Sequence, residues 1–241
     1  MLHMGGLAST DELATLADIA ANQIVLDVGS GVGGPARRIA SKFGASVWGL
    51  ELSERLIETA EKFTELVGLH ARVRFKQGSA LAIPFERERF DAVIIQHVAM
   101  QISEKEQLFA ELTRVVKPGG CLALHEIFAG EGELHYPLAW ATEPSMSALE
   151  PLAACCERLS RAGFDVGDFV DRSEDGRQYH AESIQGYDTG LARGEGAYGL
   201  SRDVAEARRA ASVAMERNLR AGSLKVGMLV SRKSGSGRPR P

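Results

Sequence analysis

The sequence is poor in the residues and patterns that mark several classes of protein. Three cysteines among 241 residues are too few for a disulfide-stapled scaffold, and no apolar run approaches the roughly 20 residues that a membrane-spanning helix needs. No charged segment followed by an apolar core opens the chain, as a secretory signal would. A net charge of −4 argues against the basic face that nucleic-acid binding requires. We therefore expect a cytoplasmic protein that binds neither nucleic acid nor membranes.

The rest of the composition is that of an ordinary globular protein. Hydrophobic residues make up 44% of the chain and charged residues 25%, so it can bury a sizeable core. Its length fits one α/β domain with insertions. Cys121, Cys155 and Cys156 are expected to be buried free thiols in a reducing compartment.

A strand, a glycine-rich loop and a helix follow one another near the start of the chain. Residues 24–28 are apolar except for Asp27, which predicts a buried parallel strand. Gly29, Gly31 and Gly33 come directly after it, and glycine tolerates both the positive φ angles and the close ligand approach of a cofactor loop. Helical spacing then places four apolar residues on one face: Ala36, Ile39, Ala40 and Phe43. This unit predicts a cofactor site at the carboxyl end of the strand.

The glycine spacing alone fits two cofactor families. Gly29, Gly31 and Gly34 match the GxGxxG pattern of dinucleotide-binding dehydrogenases. Further along the chain, Glu51 stands at the position where such folds have an acid that binds the ribose. Asp27 and the glycines after it resemble instead the cofactor loop of class I methyltransferases that use S-adenosylmethionine, whose acidic residue stands just before the first glycine.

Three further blocks resemble the same family in the same order along the chain. Residues 77–85 resemble its segment between strands three and four, with Ser79 where an acid usually faces the adenine amino group. Residues 112–120, which end in Lys-Pro-Gly-Gly, resemble its turn into strand five. Residues 128–145 resemble the Tyr/Phe-Pro-x-x-Trp-Ala segment of a bacterial branch. The resemblance implies a small-molecule methyltransferase of this biosynthetic, phosphoethanolamine-like branch.

The resemblance and the alternation of strand and helix patterns predict a Rossmann-like α/β fold. We expect a seven-stranded, mostly parallel sheet with helices on both faces, an antiparallel last strand and a lid-like insertion after strand five. Residues 1–232 are predicted to form a single methyltransferase domain. Segments 128–150 and 172–200 are predicted to be insertions that cover the substrate, and 233–241 a disordered tail.

The resemblance and the strand ends together nominate the residues of the cofactor site. Glu51 ends the second strand, where a carboxylate accepts hydrogen bonds from ribose hydroxyls. Ser79 offers a neutral and shorter acceptor than the usual acid, which implies weaker adenine binding or reading by the backbone. The predicted cofactor-binding set is Asp27, Gly29, Gly31, Gly33, Glu51, Leu52, Ser79, Ala80 and Gln96.

The loop after strand four carries the candidate catalytic group. Displacement at a sulfonium methyl depends mainly on positioning, so a general base is optional. His97 follows strand four directly, and its imidazole is able to take a proton near neutral pH. In phosphoethanolamine methyltransferases a histidine stands a few residues later, aligned with Gln101, so their mechanism does not transfer directly. His125 and Glu126 are further candidates, and alternation along a strand lets only one of them face the site.

The methyl acceptor is predicted to lie against the same loop and the insertion. Met100 and Gln101 follow the candidate base, and Tyr136 and Trp140 offer aromatic faces for stacking or cation–π contact with an amine. The alternative is that both aromatics only pack the insertion onto the core. No metal is predicted, because the histidines and acids match no common ligand spacing.

Three functions are compatible with these patterns. The first is an S-adenosylmethionine-dependent enzyme that transfers a methyl group to nitrogen or oxygen of a small metabolite. The second is an NAD-dependent oxidoreductase, which leaves the Lys-Pro-Gly-Gly turn and the last antiparallel strand unexplained. The third is a non-catalytic module that binds the cofactor without turnover and partners another subunit through an exposed apolar patch.

Overall fold

One mixed sheet organises the chain, of which the computed structural model describes residues 3–193 and 196–235. The strands are β1 (Ile24–Val28), β2 (Ser46–Glu51), β3 (Val73–Gln77), β4 (Phe90–Gln96), β5 (Val116–Ala129), β6 (Phe164–Asp171) and β7 (Leu224–Lys233). They lie in the order β3-β2-β1-β4-β5-β7-β6. Strands β1 to β5 pair in parallel, whereas β7 runs antiparallel to both β5 and β6. The predicted seven-stranded α/β sheet is thereby confirmed.

Helices pack on both faces of this sheet. They are α1 (Gly6–Leu16), α2 (Gly34–Phe43), α3 (Glu54–Leu66), α4 (Lys105–Val115), α5 (Leu152–Arg161), α6 (Ser173–Ala192) and α7 (Arg202–Ala221). Leu13 of α1 and Ile39 of α2 belong to the core of one face. Leu112 of α4 and Leu159 of α5 belong to the core of the other. Because both faces are covered, the central strands are apolar along nearly their whole length.

The segment 172–200, expected as a polar insertion, contains the 20-residue helix α6. This helix has no continuous buried stripe, because its buried residues are only Gly176, His180 and Tyr187. Tyr187 packs in a small apolar cluster with Ala205 of α7. Packing against α7 rather than an apolar stripe therefore accounts for this helix.

The other insertion, predicted as 128–150, begins only after Ala129, because β5 extends to that residue, and it is bound to the rest of the chain at two points. Asn218 of α7 is fully buried, and its side chain accepts the His135 N–H and donates to the His135 carbonyl, both at 2.8 Å. The Ala148 N–H donates to the Met100 carbonyl at 2.8 Å. These bonds hold the insertion beside the carboxyl ends of the parallel strands.

The C-terminal strand extends slightly further than predicted. Lys233 is the last residue of β7, and its Nζ donates to the carbonyls of Thr113 and Val116, each at 2.8 Å. The start of the predicted disordered tail is thus part of the sheet. Residues 236–241, the last six residues of that predicted tail, lie outside the described residues.

The composition led to expectations about the cysteines and about membrane-spanning helices, and the structure describes residues relevant to both. All three cysteines are free thiols, with Cys121 and Cys155 buried and Cys156 half-buried. Burial raises the pKa of the Cys121 thiol to about 11. In the described ranges, no helix combines the length and the hydropathy that crossing a membrane requires.

Candidate active site

The glycine loop after β1 is shaped by two different constraints. Gly29 has a φ of 73°, and a Cβ there would lie 2.4 Å from Cγ2 of Val98. Gly33 has a φ of 74°, and a Cβ there would lie 2.5 Å from the Phe75 ring. Gly31, with a φ of 53°, is different, because a Cβ there would meet no described atom within 4 Å. Gly29 and Gly33 therefore allow close packing, while Gly31 borders open space.

Glu51, at the end of β2, holds the tip of this loop. Its Oε2 accepts the Gly31 N–H at 2.9 Å, and its Oε1 accepts the Ser53 N–H at 3.0 Å. A carboxylate has about four acceptor positions, so each oxygen is still able to accept a hydroxyl. The next residue, Leu52, is 70% exposed, which leaves an apolar side chain beside the carboxylate.

Asp27 is a buried acid with an unused oxygen next to Glu51. It is 2% exposed, and among the described residues nothing hydrogen-bonds its Oδ2. Burial and the negative charge of Glu51 raise the pKa of Asp27 to about 7, against the opposing effect of the Ala36 N–H that it accepts. A cationic or hydrogen-donating ligand group at this position would relieve both penalties.

The turn after β3 lies next to the same carboxylate. The Gly78 N–H donates to the Glu51 carbonyl at 3.0 Å, which brings Ser79 and Ala80 to the end of β2. The Ser79 hydroxyl accepts the Leu81 N–H at 3.1 Å, so it already holds its own turn. One further lone pair of that oxygen remains for a ligand.

The loop after β4 places a histidine in a left-handed backbone conformation. Gln96 is the last residue of β4, and His97 has a φ of 56°. The His97 N–H donates to the His125 carbonyl at 2.9 Å, and the Gln101 amide donates to the His97 carbonyl at 3.2 Å. Both hydrogen bonds orient the loop. The Nδ1 and Nε2 positions of the ring are left for other contacts.

His97 is surrounded by other imidazoles. The pKa of His97 is lowered well below its ordinary value. Burial is the largest cause, and the neighbouring His125, His3 and His180 act in the same direction. Its Nε2 has no partner in the described part of the chain, and neither does Nε2 of the adjacent Gln96. Sequence reasoning missed His3 and His180, because nothing in their local sequence distinguishes them from other histidines.

His125 and Glu126 point to opposite faces of β5, which resolves the alternative left open by the sequence. The His125 ring lies 4.6 Å from the His97 ring, measured between centroids. Glu126 faces α4 instead, where its Oε1 accepts the N–H groups of Val98 at 2.9 Å and Ala99 at 3.1 Å. His125 therefore shares the site with His97, while Glu126 supports the loop from behind.

Lys105 completes this support. Its Nζ donates to the Ala99 carbonyl, so that turn is held through both its N–H and its C=O. Burial raises the pKa of Glu126 to about 7, although the two N–H donors and Lys105 act in the opposite direction. Burial lowers the pKa of Lys105. Because Val98 also packs over Gly29, the support behind the loop reaches the cofactor loop.

The predicted acceptor residues fall into two groups. Met100, Tyr136 and Trp140 pack in one apolar cluster that also contains Met4 and Met215. The Trp140 indole N–H donates to the hydroxyl of Ser147 at 3.2 Å, which orients the ring. Gln101 is exposed and bonded to the loop backbone, so it does not join this cluster. The structure thus brings three of the four residues together.

Comparison with known proteins agrees with this geometry. Residues 26–124 match the family model described as a methyltransferase domain. Methyltransferase GfsG of Streptomyces halstedii is 31% identical over 181 residues, which cover 73% of this chain and 65% of the relative. A sterol 24-C-methyltransferase of Debaryomyces hansenii is 31% identical over 176 residues, which cover 68% of this chain and 46% of the relative. The chain spans less than two thirds of the length of these relatives.

Solved structures share the fold over nearly the whole chain. Phosphoethanolamine N-methyltransferase 2 of Haemonchus contortus, in complex with S-adenosyl-L-methionine, has a TM-score of 0.82 at 22% identity, covering 97% of this chain and 54% of that one. The [4+2]-cyclase SpnF has a TM-score of 0.78 at 25% identity, covering 95% and 82%. Since SpnF is named for a cyclisation, the fold alone does not determine the reaction.

The matched segment and the described geometry point the same way. The family model covers the glycine loop, Glu51 and the loop after β4, which are the elements that meet at the carboxyl edge of the sheet. In open α/β sheets this edge is where ligands bind. The domain match, the ordered motifs and the sheet topology together show a class I methyltransferase domain in this chain.

Proposed function

We propose that this chain is an S-adenosylmethionine-dependent methyltransferase that transfers a methyl group to nitrogen or oxygen of a small metabolite by direct displacement. The observation that carries the proposal is the buried Asp27 carboxyl group beside Glu51, whose Oδ2 has no partner among the described residues, together with the open space at Gly31. The negative net charge supports a metabolite over a nucleic acid, and the scarcity of cysteine supports a cytoplasmic setting.

The residues present fit the cofactor. Glu51 has acceptor positions left for ribose hydroxyls, and Asp27 offers an unpaired oxygen to the amino group of the methionine portion. In this proposal Leu52, Ser79 and Ala80 cover and read the adenine ring, which the exposed side chain of Leu52 and the remaining lone pair of Ser79 support, and Gln96 offers an amide N–H without a described partner. The bound cofactor supplies a methyl group activated by a positively charged sulfur.

The chain supplies the positioning on which displacement depends. Well-oriented reactants lower the barrier by about 7 to 11 kcal/mol in favourable cases. His97 is the catalytic candidate, since burial keeps its imidazole neutral and able to accept a proton. Residues 1–232 form the methyltransferase domain in this proposal, and segments 128–150 and 172–200 cover the acceptor.

The two alternative functions have less support. An NAD-dependent oxidoreductase does not agree with the matched methyltransferase domain or with the antiparallel β7. A non-catalytic module would have no use for the Nε2 of His97, which is buried after β4 and has no partner among the described residues.

The experiment that tests the proposal compares turnover and cofactor affinity in a His97→Asn variant. Asparagine tolerates the left-handed backbone at this position, so the loop is expected to keep its conformation. With methyl-labelled cofactor and a metabolite extract as acceptor source, labelled small molecules should form with the wild type and fall strongly with the variant. Affinity for S-adenosylhomocysteine should stay within a few-fold. Equal losses of turnover and of S-adenosylhomocysteine affinity would mean that His97 contributes to cofactor binding rather than to the chemical step.

A further inference from the structure

A short turn after β4 is held by two ionisable side chains that come from other elements. Ala99–Gln101 form a 3₁₀ turn that begins at Val98, and valine has no side-chain oxygen to accept the free N–H groups there. Glu126 of β5 takes this role, since its Oε1 accepts the N–H groups of Val98 at 2.9 Å and Ala99 at 3.1 Å. Lys105, the first residue of α4, donates its Nζ to the Ala99 carbonyl. The N–H and the C=O of Ala99 are thus both bonded to buried ionisable side chains.

Placing these two side chains in the interior is unfavourable for folding. Glu126 is 2% exposed and Lys105 is 9% exposed. Burial raises the pKa of Glu126 to about 7 and lowers the pKa of Lys105, so each charge is disfavoured where it lies. Lys105 also stands at the start of a helix, where the helix dipole repels a cation. Well-packed apolar side chains are often at least as stable in such places, so stability does not account for these two residues.

The two side chains bond to this turn rather than to each other. Nothing in the described part of the chain hydrogen-bonds the second oxygen of Glu126, Oε2. Burial lowers the pKa of Lys105, and the acid that most opposes this effect is Glu150, which itself pairs with Arg158 at 3.1 Å. The printed hydrogen bonds of Glu126 and Lys105 therefore converge on the backbone at Ala99.

The turn lies against the cofactor loop through Val98. A Cβ at Gly29 would lie 2.4 Å from Cγ2 of Val98, so that side chain is in direct contact with the Gly29 backbone. His97, just before it, has a φ of 56°, which costs free energy in a non-glycine residue and persists only where the surroundings impose it. Gly31, two residues after Gly29, donates its N–H to Glu51 at 2.9 Å. A shift of Val98 would therefore move the glycine loop relative to Glu51.

We propose that Glu126 and Lys105 are positioning residues of the cofactor site, which bond the backbone of Ala99 and thereby keep Val98 against Gly29 and the glycine loop in its binding conformation. This inference rests on the proposed function and adds two residues that act through the loop rather than by touching the cofactor. A purely structural role would change only the folding stability. A positioning role changes the glycine loop and the cofactor affinity as well.

The test uses variants that keep or remove the bonds to the turn. Glu126→Gln keeps an acceptor oxygen, whereas Glu126→Met and Lys105→Met keep the approximate volume without the polar group. Asp91→Leu is the matched control. Asp91, near the start of β4, accepts the Ile24 N–H at 2.8 Å and pairs with Lys117 at 2.7 Å, so it also holds backbone, but at the amino end of the parallel strands.

The first measurement follows the glycine loop in the absence of ligand. Because the Gly31 N–H is bonded to Glu51, its amide NMR resonance reports the position of the loop against that carboxylate. In protein labelled at glycine, with this resonance assigned by Gly31→Ala, the resonance should shift in Glu126→Met and in Lys105→Met. It should keep the wild-type position in Glu126→Gln and in Asp91→Leu.

The second measurement is calorimetric titration with S-adenosylhomocysteine. Affinity should fall about ten-fold in each methionine variant and stay within about two-fold in Glu126→Gln and Asp91→Leu. The double methionine variant should lose less than the product of the two single losses, because both side chains act through Ala99. If Glu126→Met does not fold, as judged by circular dichroism, Lys105→Met carries the same test.

The inference is overturned if the methionine variants keep the wild-type Gly31 resonance or affinity, if Glu126→Gln does not restore them, or if Asp91→Leu changes them equally. Failure of the wild type to bind S-adenosylhomocysteine would instead overturn the proposed function. The Gly31 resonance needs no ligand, so it distinguishes the two failures.

Discussion

Replacing the buried Glu126 by glutamine should change how stability depends on pH. Its pKa is raised to about 7 from an ordinary 4.5, so the folded state binds this proton more tightly than the unfolded state. The contribution of Glu126 to stability is therefore largest below about pH 4.5 and is lost as the pH rises towards 7. Glutamine keeps an oxygen for the N–H groups of Val98 and Ala99 but does not ionise.

The size of the effect follows from the two pKa values. The interval from 4.5 to about 7, at about 1.4 kcal/mol per pH unit, amounts to about 3 kcal/mol. About 2.5 kcal/mol of this falls between pH 5 and pH 8. The unfolding free energy of Glu126→Gln relative to the wild type should thus improve by about 2.5 kcal/mol over that range.

Urea unfolding followed by circular dichroism at pH 5 and pH 8 measures this difference. Glu58→Gln, on the exposed face of α3, is the matched control and should show no comparable change. A difference between Glu126→Gln and the wild type that is the same at both pH values would refute the reasoning. It would mean that the carboxyl is solvated and does not support the loop from a buried position.

Three further predictions concern the loop, the cofactor and the histidines. Gly29→Ala should lose several kcal/mol in urea unfolding, because its Cβ would overlap Val98, whereas Gly31→Ala should lose only the roughly 1 to 2 kcal/mol of left-handed strain. Glu51→Ala should weaken S-adenosylhomocysteine binding in calorimetry by about 1.5 to 3 kcal/mol, the usual loss for hydrogen bonds to a charged group. The pKa of His125 is lowered to about 3 from 6.5, so protonation of the unfolded state destabilises the protein below pH 6.5. The stability advantage of His125→Leu over the wild type should therefore grow by about 2 kcal/mol from pH 8 to pH 5, and a constant advantage would count against a buried neutral ring.

Much of the fold was predictable because its strands and most helices carry strong local patterns. The apolar run of β1 and the apolar stripe of α2 each specify one element, and the glycines between them specify the turn. Helix α6 lacks such a stripe, and its three buried residues are spread over 20 positions. Its stability comes from packing against α7, which no local pattern records.

The candidate site divides in the same way. Asp27, Glu51 and His97 were found because each stands at the end of a strand and next to a motif. The roles of His125 and Glu126 depend on which face of β5 each occupies, and strand alternation alone gives two equal answers. His3 and His180 reach the site only through tertiary packing, so their sequence neighbours carry no signal of it.

The most direct test of the central claim is calorimetric titration of the purified chain with S-adenosylhomocysteine, with NAD as the control ligand. The chain should bind S-adenosylhomocysteine with micromolar affinity through Asp27, Glu51 and the open side of Gly31. NAD should give no heat of binding. Binding of NAD, or no binding of S-adenosylhomocysteine, would contradict the assignment of the glycine loop and with it the proposed methyl transfer.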